Sequence, residues 1–333
     1  MKICVVGAGA IGGVIAVYLA RGGHEVSVVA RGAHLMTIRA QGLTLMRGDE
    51  RSTQPVAAAA DDPGAFGTQD SVFIALKAHD IPAMLPRLAP MIGPETMVIP
   101  AINGLPWWYF HRAGGRFDGS AIECIDPGGA MLRALDPARI VGCMVMLAAD
   151  MPEPGLVRQT SPAANFVIGE PDGGPHERTA ALARVMTEAG MKVEVSADIR
   201  AAIWMKLLGN LAFNPVTALA RARIDQIFAQ PRLVDLIRNL MTETMAVGAA
   251  YGIEFPITIE QRLAMARKLG AFKSSMLQDV ERGRPIEVEA ILGAVVELAG
   301  RVGIATPTIE AVYALATGLD AALRRSFQPR QVG

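Results

Sequence analysis

The chain has 333 residues, 51% of them hydrophobic, and its 32 Lys and Arg are balanced by 32 Asp and Glu. That length exceeds one ordinary core and leads to two domains, while the apolar content argues against disorder. The charge balance, with no long like-charge block, argues against nucleic acid or an anionic membrane as a partner. Cys4, Cys124 and Cys143 form no CxxC pair, and the five histidines are scattered. No metal motif or disulfide framework is legible, so a reduced, cytoplasmic protein is expected.

"KICVV" reads as a buried strand, "GVIAVYLARGG" as a helix stopped by Gly22 or Gly23, and "HEVSVVA" as a second strand. Residues 3–20 are uncharged and resemble a membrane span or signal segment, but four glycines in that run weaken a helix there. The glycines have a better explanation. "GAGAIG" joins the first strand to the helix, which is the context of a dinucleotide fingerprint. Gly7 permits the tight turn, Gly9 lets backbone approach a pyrophosphate, and Gly12 lets helix and strand pack closely. The backbone of Gly7, Gly9, Ala10, Ile11 and Gly12 is therefore the expected cofactor cradle, with the helix N-terminus facing the phosphates. At the end of the second strand an NAD site places an acid, whereas this chain has Ala30 and Arg31. Arg31 suits a 2′-phosphate, so NADP(H) is the expected cofactor.

"GLTLM" and the polar stretch after it suggest a hairpin, and "SVFIAL" and "TMVIPA" are further strands, with a helix expected near 79–92. Alternating strands and helices predict a parallel sheet, with ligands beyond the carboxyl ends of its strands. Lys77 and Asn103 fall at that edge and are candidate site residues. Trp107, Trp108, Tyr109 and Phe110 follow; they either pack the loop onto the core or form an apolar cleft wall. "CIDPGGA" reads as a Pro/Gly loop after another apolar strand. "NFVIGEP" and "KVEVS" read as closing strands around a helix near 175–190. The first domain is expected to cover residues 1–195.

From Asp198 the pattern is helical to about residue 325, giving a second domain over 196–328 and a loose "RRSFQPRQVG" tail. At about 100° per residue, with Lys206 at zero, Thr217 lies near 20°, Asn210 near 40° and Asn214 near 80°. A water-facing stripe carries several charges; this one has a single lysine, two asparagines and a threonine, as suits a cleft that must hydrogen-bond a ligand. Pro215 removes an internal hydrogen bond and favours a kink one turn earlier. Further on, Pro285 reads as the first residue of a helix with Glu287 and Glu289 in its first turn.

Together, "GAGAIGG", "LKAHD", the "NG" after a strand, "WMKLLGNLAFNP" and "SSMLQD…IEVEAILG" resemble the ketopantoate reductase (2-dehydropantoate 2-reductase) family across nearly the whole chain. The resemblance implies a Rossmann-type α/β domain, an all-helical C-terminal domain and an active site between them. It implies Lys206 as the catalytic lysine and Glu287 as an assisting, substrate-binding carboxylate. Ser275, Asn210, Asn214 and Asn103 are the implied contacts to substrate or nicotinamide, and Arg31 and Lys77 lie on the cofactor side. The implied reaction is NADPH-dependent reduction of a 2-oxo acid, ketopantoate to pantoate in pantothenate synthesis. A desolvated lysine of lowered pKa would stabilise the developing oxyanion and donate the proton, while Ser275 and the asparagines hold the carboxylate without an arginine. The aromatic block and "CIDPGGA", where many members have a Thr-His-Ala-like loop, depart from the pattern. They keep open a paralogue acting on a bulkier 2-oxo acid. A non-catalytic NADP(H)-binding sensor is the alternative of another class, and a homodimer is left open.

Overall fold

A computed structural model describes residues 1–327. The chain divides into two compact units, one made of residues 1–121 and 128–202, the other of residues 122–127 and 203 onward. The sequence places the division at 195/196. The structure places it at 202/203 and moves one short stretch, 122–127, into the second unit. The expected domain end at 328 lies outside the described residues.

The first unit is built from β1 (Lys2–Val6), α1 (Ala10–Arg21), β2 (Glu25–Val29), α2 (Gly32–Gln41), β3 (Leu43–Arg47), β4 (Glu50–Gln54), β5 (Ala58–Ala60), β6 (Gln69–Ile74), α3 (Ile81–Met84), β7 (Ile92–Pro100), α4 (Ala130–Ala134), β8 (Gly142–Met146), β9 (Ala149–Glu153), β10 (Leu156–Gln159), β11 (Asn165–Gly169), α5 (Glu177–Glu188) and β12 (Lys192–Val195). Five strands form a parallel sheet in the order β5-β2-β1-β6-β7. Its strands are apolar on both faces, as a covered parallel sheet requires. A mixed sheet, β4-β3-β10-β9, and a three-stranded sheet, β12-β11-β8, complete the unit.

Helix α1 explains the run that looked membrane-like. It packs on β1 and β2 of the parallel sheet and on β3, β9 and β10 of the mixed sheet, so it has no wet face. Residues Gly12–Leu19 are all buried. The Tyr18 hydroxyl finds the Gln159 side chain at 3.2 Å. Among the described residues no helix is long and apolar enough to cross a membrane.

Two expected elements differ. The helix near 79–92 is a series of 3-10 turns around the short α3. Pro82, Pro86 and Pro90 recur every four residues, and each lacks the amide a continuous helix needs. No strand precedes "CIDPGGA": the Glu297 carboxylate accepts the Glu123 and Cys124 amides at 2.8 Å each, leaving none for a ladder.

Helix α6 (Ile199–Ala220) leads into the second unit and runs unbroken through Pro215. It is followed by α7 (Ile224–Phe228), α8 (Pro231–Ala250), α9 (Ile259–Arg267), α10 (Ser275–Glu281), a π-helical turn (Glu289–Gly293), α11 (Ala294–Val302) and α12 (Pro307–Phe327). Helix α8 is the hub, touching α7, α9, α11 and α12. The start of the expected loose tail is helical, since Arg324–Phe327 belong to α12, and its remaining residues lie outside the described ones.

Candidate active site

In the parallel sheet β1 has β2 on one side and β6 on the other, so the chain order reverses there. Ligands of such sheets sit at this reversal, beyond the carboxyl ends of the strands. Gly7 follows β1 with φ +94°; a Cβ on it would lie 2.6 Å from Leu76 Cδ2 and 2.8 Å from the Ala75 carbonyl oxygen. A Cβ on Gly12 would collide with the Gly7 carbonyl oxygen and press on Val5 and Ala75. A Cβ on Gly9 would meet nothing within 4 Å, so the space over the loop is open. Helix α1 starts with no side-chain cap and no acid in its first turn. Its first amides, at Ala10 and Ile11, are thus available to an anion. A dinucleotide pyrophosphate fits this cradle.

Two features of the cradle escape sequence reasoning. Gly13 lies against the mixed sheet, where a Cβ would come within 2.5 Å of Val157 Cγ1. His34, on α2, pins the loop. The Gly155 amide donates to its Nδ1 at 2.9 Å, which leaves the proton on Nε2 to be donated to the Ala8 carbonyl at 2.6 Å. Only one histidine tautomer satisfies both bonds.

Arg31 lies two residues beyond β2, exposed, directly before α2. Lys77 and Asn103 each lie three residues beyond their strands, β6 and β7, which are paired in parallel at Ile74–Pro100. The loops carrying Gly7, Lys77 and Asn103 therefore leave adjacent strands at one sheet edge.

The aromatic block is core, not cleft wall. Trp107, Trp108, Tyr109 and Phe110 are 1–3% exposed. Gly142 has no room for a Cβ because Trp108 and Ile199 fill it. Arg200, at the start of α6, holds this loop by donating to the Tyr109 carbonyl at 2.7 Å and the His111 carbonyl at 2.6 Å, and also to that of Pro171. A guanidinium bonded to three carbonyls fixes the loop against the unit, which the polar "SADIR" gave no sign of.

In the second unit, α6 carries Lys206 and Asn210, both half-buried, and the buried Asn214 and Thr217. The Asn210 and Asn214 amides make no hydrogen bond to other described residues. Thr217 Oγ1 donates to the Asn214 carbonyl at 2.9 Å and meets Ser274 Oγ at 2.6 Å. Ser274 Oγ in turn accepts the Leu277 amide at 3.1 Å and caps α10. This chain of bonds ties the start of α10 to the polar stripe of α6, and Ser275 follows with its side chain exposed. Ser274 is thus the tie, a role its sequence does not separate from that of its neighbour.

Glu287 is 6% exposed. It precedes the helix rather than opening it: residues 284–287 have no regular secondary structure, and the π-helical turn begins at Glu289. The Ile286 amide is taken by Asp320 Oδ1 at 2.8 Å, which holds the chain out of helical geometry until Val288. Glu289 accepts from the Tyr313 hydroxyl at 2.7 Å and is engaged within the unit.

Comparisons with known proteins agree across both units. The family model "Ketopantoate reductase PanE/ApbA" matches residues 3–173, and "Ketopantoate reductase PanE/ApbA C terminal" matches residues 198–320. A 2-dehydropantoate 2-reductase from Mesorhizobium japonicum is 45% identical over 95% of this chain and 96% of its own. A protein from Ralstonia solanacearum MolK2, solved as a candidate ketopantoate reductase, superposes with a TM-score of 0.91 at 36% identity, covering 97% of this chain and 98% of that one. A PanE/ApbA family ketopantoate reductase from Ralstonia eutropha JMP134 gives a TM-score of 0.83 at 27% identity, covering 97% of this chain and all of the other. With a Rossmann-type first unit, a helical second unit and both family models matched, the chain belongs to the ketopantoate reductase family.

Proposed function

We propose that this protein reduces 2-dehydropantoate (ketopantoate) to pantoate with NADPH. The observation that carries this reading is the 45% identity, over 95% of the chain, to a 2-dehydropantoate 2-reductase. Two structural features support it: the open, uncapped glycine loop, and a helix whose polar stripe holds one ammonium and two side-chain amides.

In this reading the backbone of Gly7, Gly9, Ala10, Ile11 and Gly12 holds the pyrophosphate, Arg31 pairs with the 2′-phosphate, and Lys77 and Asn103 attend the rest of the cofactor. When bound, NADPH supplies a hydride to the 2-oxo carbon. The Lys206 ammonium faces the keto oxygen, stabilises the charge that grows there, and gives it a proton, leaving a 2-hydroxy acid. Asn210, Asn214, Ser275 and Asn103 hydrogen-bond the substrate's oxygens, and Glu287 accepts from its hydroxyl. Burial of Trp107 and Trp108 removes the main argument for a bulkier acid, because those rings line core rather than cleft.

NADPH oxidation with ketopantoate, beside a panel of bulkier 2-oxo acids, tests the reading. Lys206→Ala is expected to lower kcat by about 10²- to 10⁴-fold, the usual worth of a positioned general acid. Turnover confined to bulkier acids would reassign the substrate, and full activity in Lys206→Ala would sink the mechanism.

A further inference from the structure

Arg262, on α9, is a partly buried cation without a counterpart. Among the described residues its guanidinium has neither a hydrogen bond nor an ion pair. Burial holds it below the ordinary arginine range, and no carboxylate among the described residues acts on it. Such a charge is costly to desolvate unless something compensates it. Arg200 is the internal comparison. It too is lowered by burial, yet it donates to three backbone carbonyls, a complete structural answer.

The fold also makes room for Arg262. Its guanidinium lies on Gly209 of α6, where a Cβ would fall 2.8 Å from Cζ and 3.2 Å from Nε. Glycine inside a helix costs about 1 kcal/mol relative to alanine, so this position weakens α6 to admit the guanidinium. Gly209 is three residues past Lys206 and adjoins Asn210. Residues three apart on a helix are neighbours, with about 5–6 Å between Cβ positions. The planar fork of Arg262 and the ammonium of Lys206 are thus carried by adjoining patches of one helix surface.

We propose that Arg262 is the anchor for the carboxylate of the 2-oxo acid. A 2-oxo acid has its carboxylate on the carbon next to the keto carbon, so it offers two oxygen groups a bond apart. Arg262 takes the carboxylate as a bidentate partner, and Lys206 takes the keto oxygen. This deepens the proposed function and rests on it, and it replaces the expectation that hydroxyl and amide groups alone hold the carboxylate. It also accounts for the glycine in the middle of α6.

The test compares wild type with Arg262→Met, which keeps length and packing, and Arg262→Lys, which keeps charge without the fork. Steady-state kinetics use ketopantoate and its neutral methyl ester, and calorimetry uses oxamate, a 2-oxo acid mimic. Arg262→Met is expected to raise KM for the acid by about 30-fold or more, with kcat within about threefold and NADPH affinity unchanged. It should lose oxamate binding and the preference for acid over ester, and Arg262→Lys should fall between the two. Wild-type KM, oxamate affinity and acid preference in folded Arg262→Met or Arg262→Lys overturn the proposal. Oxamate binding that depends on Arg262, in a protein that reduces no 2-oxo acid, would keep the anchor and sink the functional reading.

Discussion

The start of α1 and the starts of α9, α10 and α12 face one problem and answer it differently. Every helix begins with amides that lack internal acceptors. At α9 the Thr258 hydroxyl accepts the Gln261 amide, and at α10 Ser274 accepts that of Leu277. At α12 the Glu243 carboxylate accepts the Thr308 and Ile309 amides at 2.9 and 2.8 Å. At α1 no side chain does so, and the space above Gly9 is empty of protein. The closed starts in the second unit hold scaffold together. The open start of α1 leaves its amides to a ligand; α2, α5 and α8 also begin without a side-chain cap, so it is the glycine turn and the open space above Gly9, together with the missing cap, that mark this start for binding.

Four changes would break or sharpen that contrast. The largest effect is expected from Gly12→Val, which drives a branched side chain into the Gly7 carbonyl, Val5 and Ala75. Overpacking of this kind costs about 3 kcal/mol or more, and thermal unfolding should show loss of the folded enzyme or a fall in Tm of several degrees. Ser274→Ala removes a cap and the tie to Thr217 together. A loss of about 1–2 kcal/mol is expected in urea unfolding, with NADPH affinity intact. An unchanged stability would mean the closed start does not hold scaffold.

Glu297 gives a third, pH-dependent answer. Burial alone would raise its carboxyl pKa, but the Cys124 and Glu123 amides and Arg301 outweigh burial and hold it below the usual range. A depressed acid contributes stability above its unfolded pKa of about 4.3 and loses it as pH falls through the folded value. Glu297→Gln should therefore be less stable than wild type near neutrality, and the gap should close in urea melts below about pH 4. A gap that persists in acid would show that charge is not what matters there. Gly9→Ser has the smallest expected effect on stability, within about 1 kcal/mol, because serine is a good cap. A side chain there enters the open space, so NADPH Kd should rise about tenfold or more. Unchanged NADPH binding in this variant would remove the functional meaning of the open start.

What the sequence revealed was local. β1, the glycine turn, α1 and β2 lie within 28 consecutive residues, and their spacing alone dictated the fold there. Strands β8, β9 and β10 left no such trace. They are short, and β10 pairs with β3 more than a hundred residues away, so the alternation that marks a strand is set by a distant partner. The apolar character of residues 79–92 suggests a helix, but Pro82, Pro86 and Pro90 break it into 3-10 turns around the short α3. The candidate site divides in the same way. Lys206, Asn210 and Asn214 were visible because a helix converts spacing into a face. Arg262 was not, since its meaning depends on which glycine it covers and on the absence of an acid nearby. His34 likewise gains its role from two backbone groups, Ala8 and Gly155, on either side of it in the chain. The family motifs carried Glu287, but its setting before a π-helical turn required the contact of Asp320 with the Ile286 amide, 34 residues apart.

The stretch 122–127 has a consequence for biosynthesis. It belongs to the second unit and is fixed there by Glu297, 174 residues beyond Glu123. At about 5–20 residues per second, roughly 10–35 seconds of translation separate the two. Until then the Glu123 and Cys124 amides lack the acceptor that the finished protein gives them. The second unit therefore cannot close around its own first-made piece until α11 has left the ribosome.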